Sequence, residues 1–134
     1  MLEYAIEARR DDPSGSKATA KDAELVLDTS LAGRRDAFNP AELLLAAVAA
    51  CMIKSIERVA PMLNFDLRGV EITLHATRQD DPPKIIAIDY ILTVDTQESD
   101  RRLDLLHRNM RKYGTISNTV ASAARLDGTV RRKS

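Results

Sequence analysis

The chain of 134 residues holds one cysteine, no tryptophan and two histidines, and each shortage removes a class of protein. A single cysteine cannot close an intramolecular disulfide, so the fold must stand on its core. His75 and His107 lie 32 residues apart on different predicted elements. They do not converge with Cys51 as metal ligands would, and neither a metal nor another cofactor is expected. Tyr90, Tyr113 and Phe38 are too few and too scattered for a base-stacking platform. Charge of one sign is also lacking: Lys+Arg and Asp+Glu both count 20, for a formal net charge of zero. No global field draws phosphate backbones or anionic lipid, so no nucleic acid and no membrane is expected as a partner. Arg131, Arg132 and Lys133 read as a solvated terminal run. The longest nearly uncharged apolar stretch, Leu43 to Ile53, has 11 residues, whereas a membrane span needs about 20. Internal repeats and Gly-rich phosphate loops are missing as well.

What is present is ordinary globular composition, with 44% hydrophobic and 30% charged residues, at the usual size of one domain spanning 1–134. Met1-Leu2-Glu3-Tyr4 carries neither the basic nor the apolar region of a secretory signal. With the lone cysteine, that sets the cytoplasm as the expected compartment.

Leu2, Tyr4, Ile6 and Ala8 alternate with Glu3, Ala5, Glu7 and Arg9, which predicts a strand ending near Arg10. Asp11 to Ser16 reads as a loop and Leu25-Val26-Leu27 as a second strand. Asn39 can cap a helix, Pro40 suits its first position and Glu42 completes a capping-box reach. That helix is expected to run to about Ala60 and to stop at Pro61. From Leu43 to Met52 it has no polar face, so enclosure on all sides is expected, with a partner subunit covering what one sheet cannot. Alternating apolar residues from Val70 to Ala76 and from Ile86 to Val94 predict a hairpin around Asp80-Asp81-Pro82-Pro83. Leu103, Leu106, Met110 and Tyr113 recur at helical spacing, and Gly114 is expected to end that helix in the manner of a C-terminal glycine. Ser117-Asn118-Thr119 reads as a short helix and Arg125 to Arg131 as the last strand. The order does not alternate as βαβ units do, and the expected class is α+β with antiparallel sheets packed around a buried central helix.

Cys51 is the only soft nucleophile, and on residue type alone it reads as a packed core thiol. It lies twelve residues beyond Asn39, too far along the helix for the positive end of the dipole to activate it, so a cationic neighbour would be required. A hydrolytic pair of Cys51 with His107 needs only proximity in space. His75 falls on a polar strand face, and His107 reads as a surface or edge residue. The acidic pairs Asp80-Asp81 and Glu98-Asp100 sit where loops and helix starts favour carboxylates.

The run Asn39-Pro40-Ala41-Glu42-Leu43-Leu44-Leu45-Ala46-Ala47-Val48-Ala49-Ala50-Cys51-Met52 resembles the signature of the OsmC/Ohr family, and the similarity covers roughly residues 33 to 134. The resemblance implies an intertwined homodimer with central helices between two sheets. It also implies a cysteine thiolate that attacks a hydroperoxide and is then captured as a disulfide by a second cysteine. Cys51 is the nucleophile carried over. The second cysteine would fall near Gly114, and this chain has none. The family's clamp glutamate would fall at Ala41, and Glu42 is displaced by about 100° around the helix. The activating arginine is assigned to Arg10, with Arg34 and Arg35 as rivals.

Three functions are compatible with these residues. The first is a single-cysteine thiol peroxidase that reduces organic hydroperoxides through Cys51 with an external thiol. The second is a catalytically degenerate protein of the same fold that binds or hydrolyses a small apolar molecule at the dimer interface. The third is a purely structural or partner-binding dimer.

Overall fold

A computed structural model describes residues 1–134, which divide into two compact units, Met1–Leu44 and Leu45–Ser134. The first unit carries three antiparallel strands, β1 (Glu7–Asp12), β2 (Gly15–Ala20) and β3 (Ala23–Leu27), in the order β1-β2-β3. The expected first strand lies further along the chain than alternation placed it. Leu2, Tyr4 and Ile6 precede the strand and are exposed, so their alternation records no burial within this chain. The expected loop at Asp11 to Ser16 is a tight hairpin turn instead, with Asp12 accepting from the Ser14 N–H and β2 beginning at Gly15. A β-carbon on Gly15 would come within 2.5 Å of the Arg34 guanidinium, which would have to swing aside, and 3.3 Å from the Leu27 carbonyl.

Buried Asp28 organises the connection after β3. Its carboxylate accepts from the N–H and hydroxyl of Ser30 and from the N–H of Arg34, at 3.0, 2.7 and 2.8 Å. Its own N–H donates to the Phe38 carbonyl, beside a bridge between Leu27 and Phe38.

Helix α1 (Pro40–Met62) starts as a capping box: the Glu42 N–H donates to the Asn39 side chain at 2.8 Å, and the Asn39 N–H donates back to the Glu42 carboxylate at 3.0 Å. Pro61 does not stop the helix, which includes it and ends at Met62. At that depth the proline removes only the bond to the carbonyl of exposed Glu57, and left-handed Asn64 then turns the chain.

In the second unit α1 buries Val48, Met52, Ile56 and Val59, one stripe at helical spacing. The expectation of enclosure on every side does not hold within the chain, because Leu44, Ala47, Ala50 and Ile53 are exposed. Strands β4 (Gly69–Gln79) and β5 (Lys84–Asp95) form the expected antiparallel hairpin. After β5 come helices α2 (Asp100–Tyr113) and α3 (Thr115–Ala121) and strand β6 (Arg125–Arg132). The fold is α+β, but β6 runs parallel to β5, so the second sheet is mixed rather than purely antiparallel. A chain that leaves β5 and returns alongside it in the same direction needs a crossover, which α2 and α3 supply. The inward residues Ile88, Tyr90, Leu92 and Val94 of β5 meet Leu103, Leu106 and Met110 of α2, the stripe of α1, and Leu126 of β6 in one core.

Arg102 ties the end of α1 to α2. Its guanidinium donates to the Leu63 and Asn64 carbonyls at 2.6 and 3.3 Å, contacts Glu98 and lies over the Phe65 ring. It thereby fixes the turn that follows α1, while the last helical carbonyls of Val59, Ala60 and Pro61 accept from the N–H groups of Leu63, Phe65 and Asn64.

Candidate functional site

Cys51 lies midway along α1, one residue before buried Met52, and is itself half-buried. Across from it is the junction of α2 and α3. A β-carbon placed on Gly114 would stand 3.2 Å from the Cys51 sulfur and 3.1 Å from the Ser117 hydroxyl. Gly114 does end α2, but with φ −79° and ψ 111°, an extended conformation open to any residue rather than the left-handed one of a C-terminal glycine. The glycine is there for space: the backbone passes too close to the thiol to carry a side chain easily. The Ser117 hydroxyl, 2% exposed, donates to the Cys51 sulfur at 3.9 Å, long even for sulfur. It is a neutral donor and adds no charge beside the sulfur.

The other sequence candidates fall as follows. Arg10 is exposed on β1, opposite Ser16 in the strand register. Arg34 is gripped by Asp36 through two bonds of 2.8 and 2.9 Å, and this grip, with Asp28 nearby, holds its pKa above the ordinary arginine value. Arg35 is exposed. Glu42 spends its carboxylate on the Asn39 N–H, so the capping box occupies the group that would have to replace the absent clamp glutamate. His75 is exposed on β4, as its polar face implied.

Of the two expectations for His107, surface or edge, its half-burial fits the edge. The imidazole Nε2 lies 2.5 Å from the Tyr90 hydroxyl, whereas the sulfur of Cys51 is bonded to Ser117. The hydrolytic Cys51–His107 pair therefore does not form. Ser117 and the Tyr90–His107 contact were not singled out from sequence. The inward alternation of Tyr90 on β5 and the i, i+4 spacing of His107 and Arg111 were the available signals.

A half-buried helix thiol facing a glycine at a helix–helix junction, in an α+β chain with two three-stranded sheets, defines a thiol-bearing fold whose one nucleophile has a hydroxyl as its polar partner. The model of the OsmC-like protein family matches residues 33–127, and the chain belongs to that family. No curated protein matches by sequence. Among solved structures, the chain is similar to an OsmC-like protein from Mycoplasma pneumoniae, at 18% identity over 99% of both chains with a TM-score of 0.90. An organic hydroperoxide resistance protein OsmC from Legionella pneumophila shares 21% identity over 97% of this chain and 98% of that one, with a TM-score of 0.73. The organic hydroperoxide resistance protein OhrB of Bacillus subtilis shares 18% identity over 97% and 98%, with a TM-score of 0.69. No helix is long and apolar enough to cross a membrane.

Proposed function

We propose that this protein is a single-cysteine thiol peroxidase that reduces organic hydroperoxides. The observation that carries the reading is the Cys51 sulfur held half-exposed on α1, with a buried hydroxyl donor beside it and no second cysteine in the chain. Family membership supports it, and two structures of the same fold are named for hydroperoxide resistance. The thiolate attacks the distal peroxide oxygen, the O–O bond breaks, and the alcohol leaves with a proton while Cys51 becomes a sulfenic acid. An external thiol then displaces water to give a mixed disulfide. A second thiol releases the external disulfide and restores Cys51.

In this reading Arg10 is the cation that stabilises the thiolate. Arg34 is already neutralised by Asp36, which leaves Arg10 and Arg35 as the uncommitted choices of the three. The working form is a cytoplasmic homodimer in which a second copy covers the open face of α1 at Leu44, Ala47, Ala50 and Ile53. Leaving that row in water would forgo roughly 25 cal/mol for every Å² of apolar surface.

The test is the second-order rate of Cys51 oxidation by cumene hydroperoxide and by hydrogen peroxide, with Cys51→Ser as control and the sulfenic acid trapped by a dimedone-type reagent. Fast, Cys51-dependent oxidation with preference for the organic peroxide is expected, and Arg10→Ala slows it. A rate no higher than that of an ordinary free thiol overturns the reading.

A further inference from the structure

The proposed chemistry leaves unused a second polar cluster in the Leu45–Ser134 unit, built from Tyr90, His107 and Arg111. Tyr90, 3% exposed, stands opposite Gly128 in the parallel register of β5 and β6. Its ring occupies the space that a β-carbon on Gly128 would need, so the glycine lets the ring lean across β6. The hydroxyl then reaches α2, where it meets His107 Nε2 at 2.5 Å and accepts from the Arg111 guanidinium at 3.2 Å. The two rings stand edge to face, with centroids 5.6 Å apart.

Because Arg111 has only protons to offer, it takes a lone pair of the tyrosine oxygen and turns the phenol proton towards His107. A neutral imidazole protonated on Nδ1 can accept that proton, and an imidazolium cannot. Burial, and next the positive charge of Arg111, hold the His107 pKa below the ordinary histidine value, with Asp104 opposing. No other titratable group faces the imidazole. The inward side of β5 offers Tyr90 alone, and that of β6 offers Leu126, Gly128 and Val130, with Arg132 committed to Asp100 and the Glu98 carbonyl at the start of α2. Helix α3 has no charged residue, and Lys54, Glu57 and Arg58 of α1 are exposed.

His107 and Arg111 occupy the two turns of α2 that lead into Gly114 and Ser117, the residues set against the Cys51 sulfur. We propose that the contact between Tyr90 and His107 is a pH-sensitive latch that seats the α2–α3 junction on Cys51 and loosens it when His107 gains a proton. Protonation sets two cations on one phenol oxygen and leaves the phenol proton with no acceptor. The phenol donor bond is lost and the two cations repel each other, which weakens the hold of the end of α2 on the sheet. Regulation of the thiol in this sense rests on the reading of Cys51 as the reactive group.

Two measurements between pH 7.5 and 5.5 test it: amide hydrogen exchange over residues 112–118, corrected for intrinsic exchange, and iodoacetamide labelling of Cys51 per thiolate present. In the unaltered protein junction exchange should rise severalfold on acidification, and normalised labelling should rise with it. His107→Gln keeps an acceptor that does not titrate and should flatten both profiles. A pH step unchanged in His107→Gln overturns the latch. If that variant does not fold, Tyr90→Phe answers instead: high exchange at both pH values supports the latch, and a retained pH step overturns it. Neither measurement uses a hydroperoxide, so a Cys51 that proved inert to peroxide would sink the peroxidase reading and leave the latch result standing.

Discussion

A β-carbon at position 114 would stand 3.2 Å from the Cys51 sulfur, close to the roughly 3 Å that separates one β-carbon from the other sulfur of a disulfide with an S–S bond of about 2.04 Å. The backbone is therefore disposed for a Cys51–114 disulfide although the chain has no second cysteine. Gly114→Cys should oxidise in air to a species two mass units lighter per chain, by loss of two hydrogens, with no titratable thiol remaining. Persistence of two free thiols under mild oxidant would show that the junction does not close on Cys51 as described.

Ser117→Ala removes the hydroxyl that donates to the Cys51 sulfur without changing the apolar neighbours. A hydrogen bond of about 0.5–1 kcal/mol corresponds to a slowing of Cys51 alkylation at pH 7 by a factor of about 2–5. Iodoacetamide labelling followed by mass spectrometry reads the effect directly, and an unchanged rate would remove Ser117 from the site.

Gly128→Ala should be costly for a different reason. The added methyl meets the ring of Tyr90, which is fixed on both sides by the core and by α2. Overpacking of this kind costs about 1–3 kcal/mol. The midpoint of urea unfolding should fall accordingly, and Tyr90→Leu in the same chain should recover part of the loss.

Arg102→Met keeps an aliphatic side chain and deletes the guanidinium over Phe65 with its bonds to the Leu63 and Asn64 carbonyls and to Glu98. With the guanidinium partly exposed, a loss of about 1–2 kcal/mol is expected. Hydrogen exchange should quicken first at the end of α1, where the carbonyls lose their donor.

Asp28 sets an acid limit for the first unit. Its carboxyl is held below the usual carboxylate range by the Arg34 N–H first and then by the Ser30 hydroxyl. A depressed carboxylate stabilises the fold above the unfolded-state pKa, near 4, and the contribution disappears as pH falls below it. Thermal unfolding of the unaltered protein should weaken steeply below about pH 4. Asp28→Asn should be less stable at pH 7 and lose less on going to pH 3.

Much of this protein was legible in one dimension. The Asn39–Glu42 capping box, the β4–β5 hairpin, the span of α2 and the α+β class follow from period, capping and turn chemistry, which act over a few residues and are written in local order. So is the family resemblance carried by the run from Asn39 to Met52, because a capped helix leading to a cysteine is a local pattern. Tertiary structure decided what depends on partners distant in sequence. Alternation at Leu2, Tyr4 and Ile6 marked a strand where there is none, and Pro61 was read as a stop although one lost bond at a helix end is tolerable. The parallel return of β6 followed from the crossover length of α2 and α3, which no strand pattern records. Gly114 looked like a conformational glycine and is a spatial one, a distinction that exists only once Cys51 is brought against it. His107 read as a surface or edge residue, and it is half-buried. Its burial beneath Tyr90 depends on Gly128, from a third element, leaving room for the ring, and that three-body condition has no signature in the order of residues.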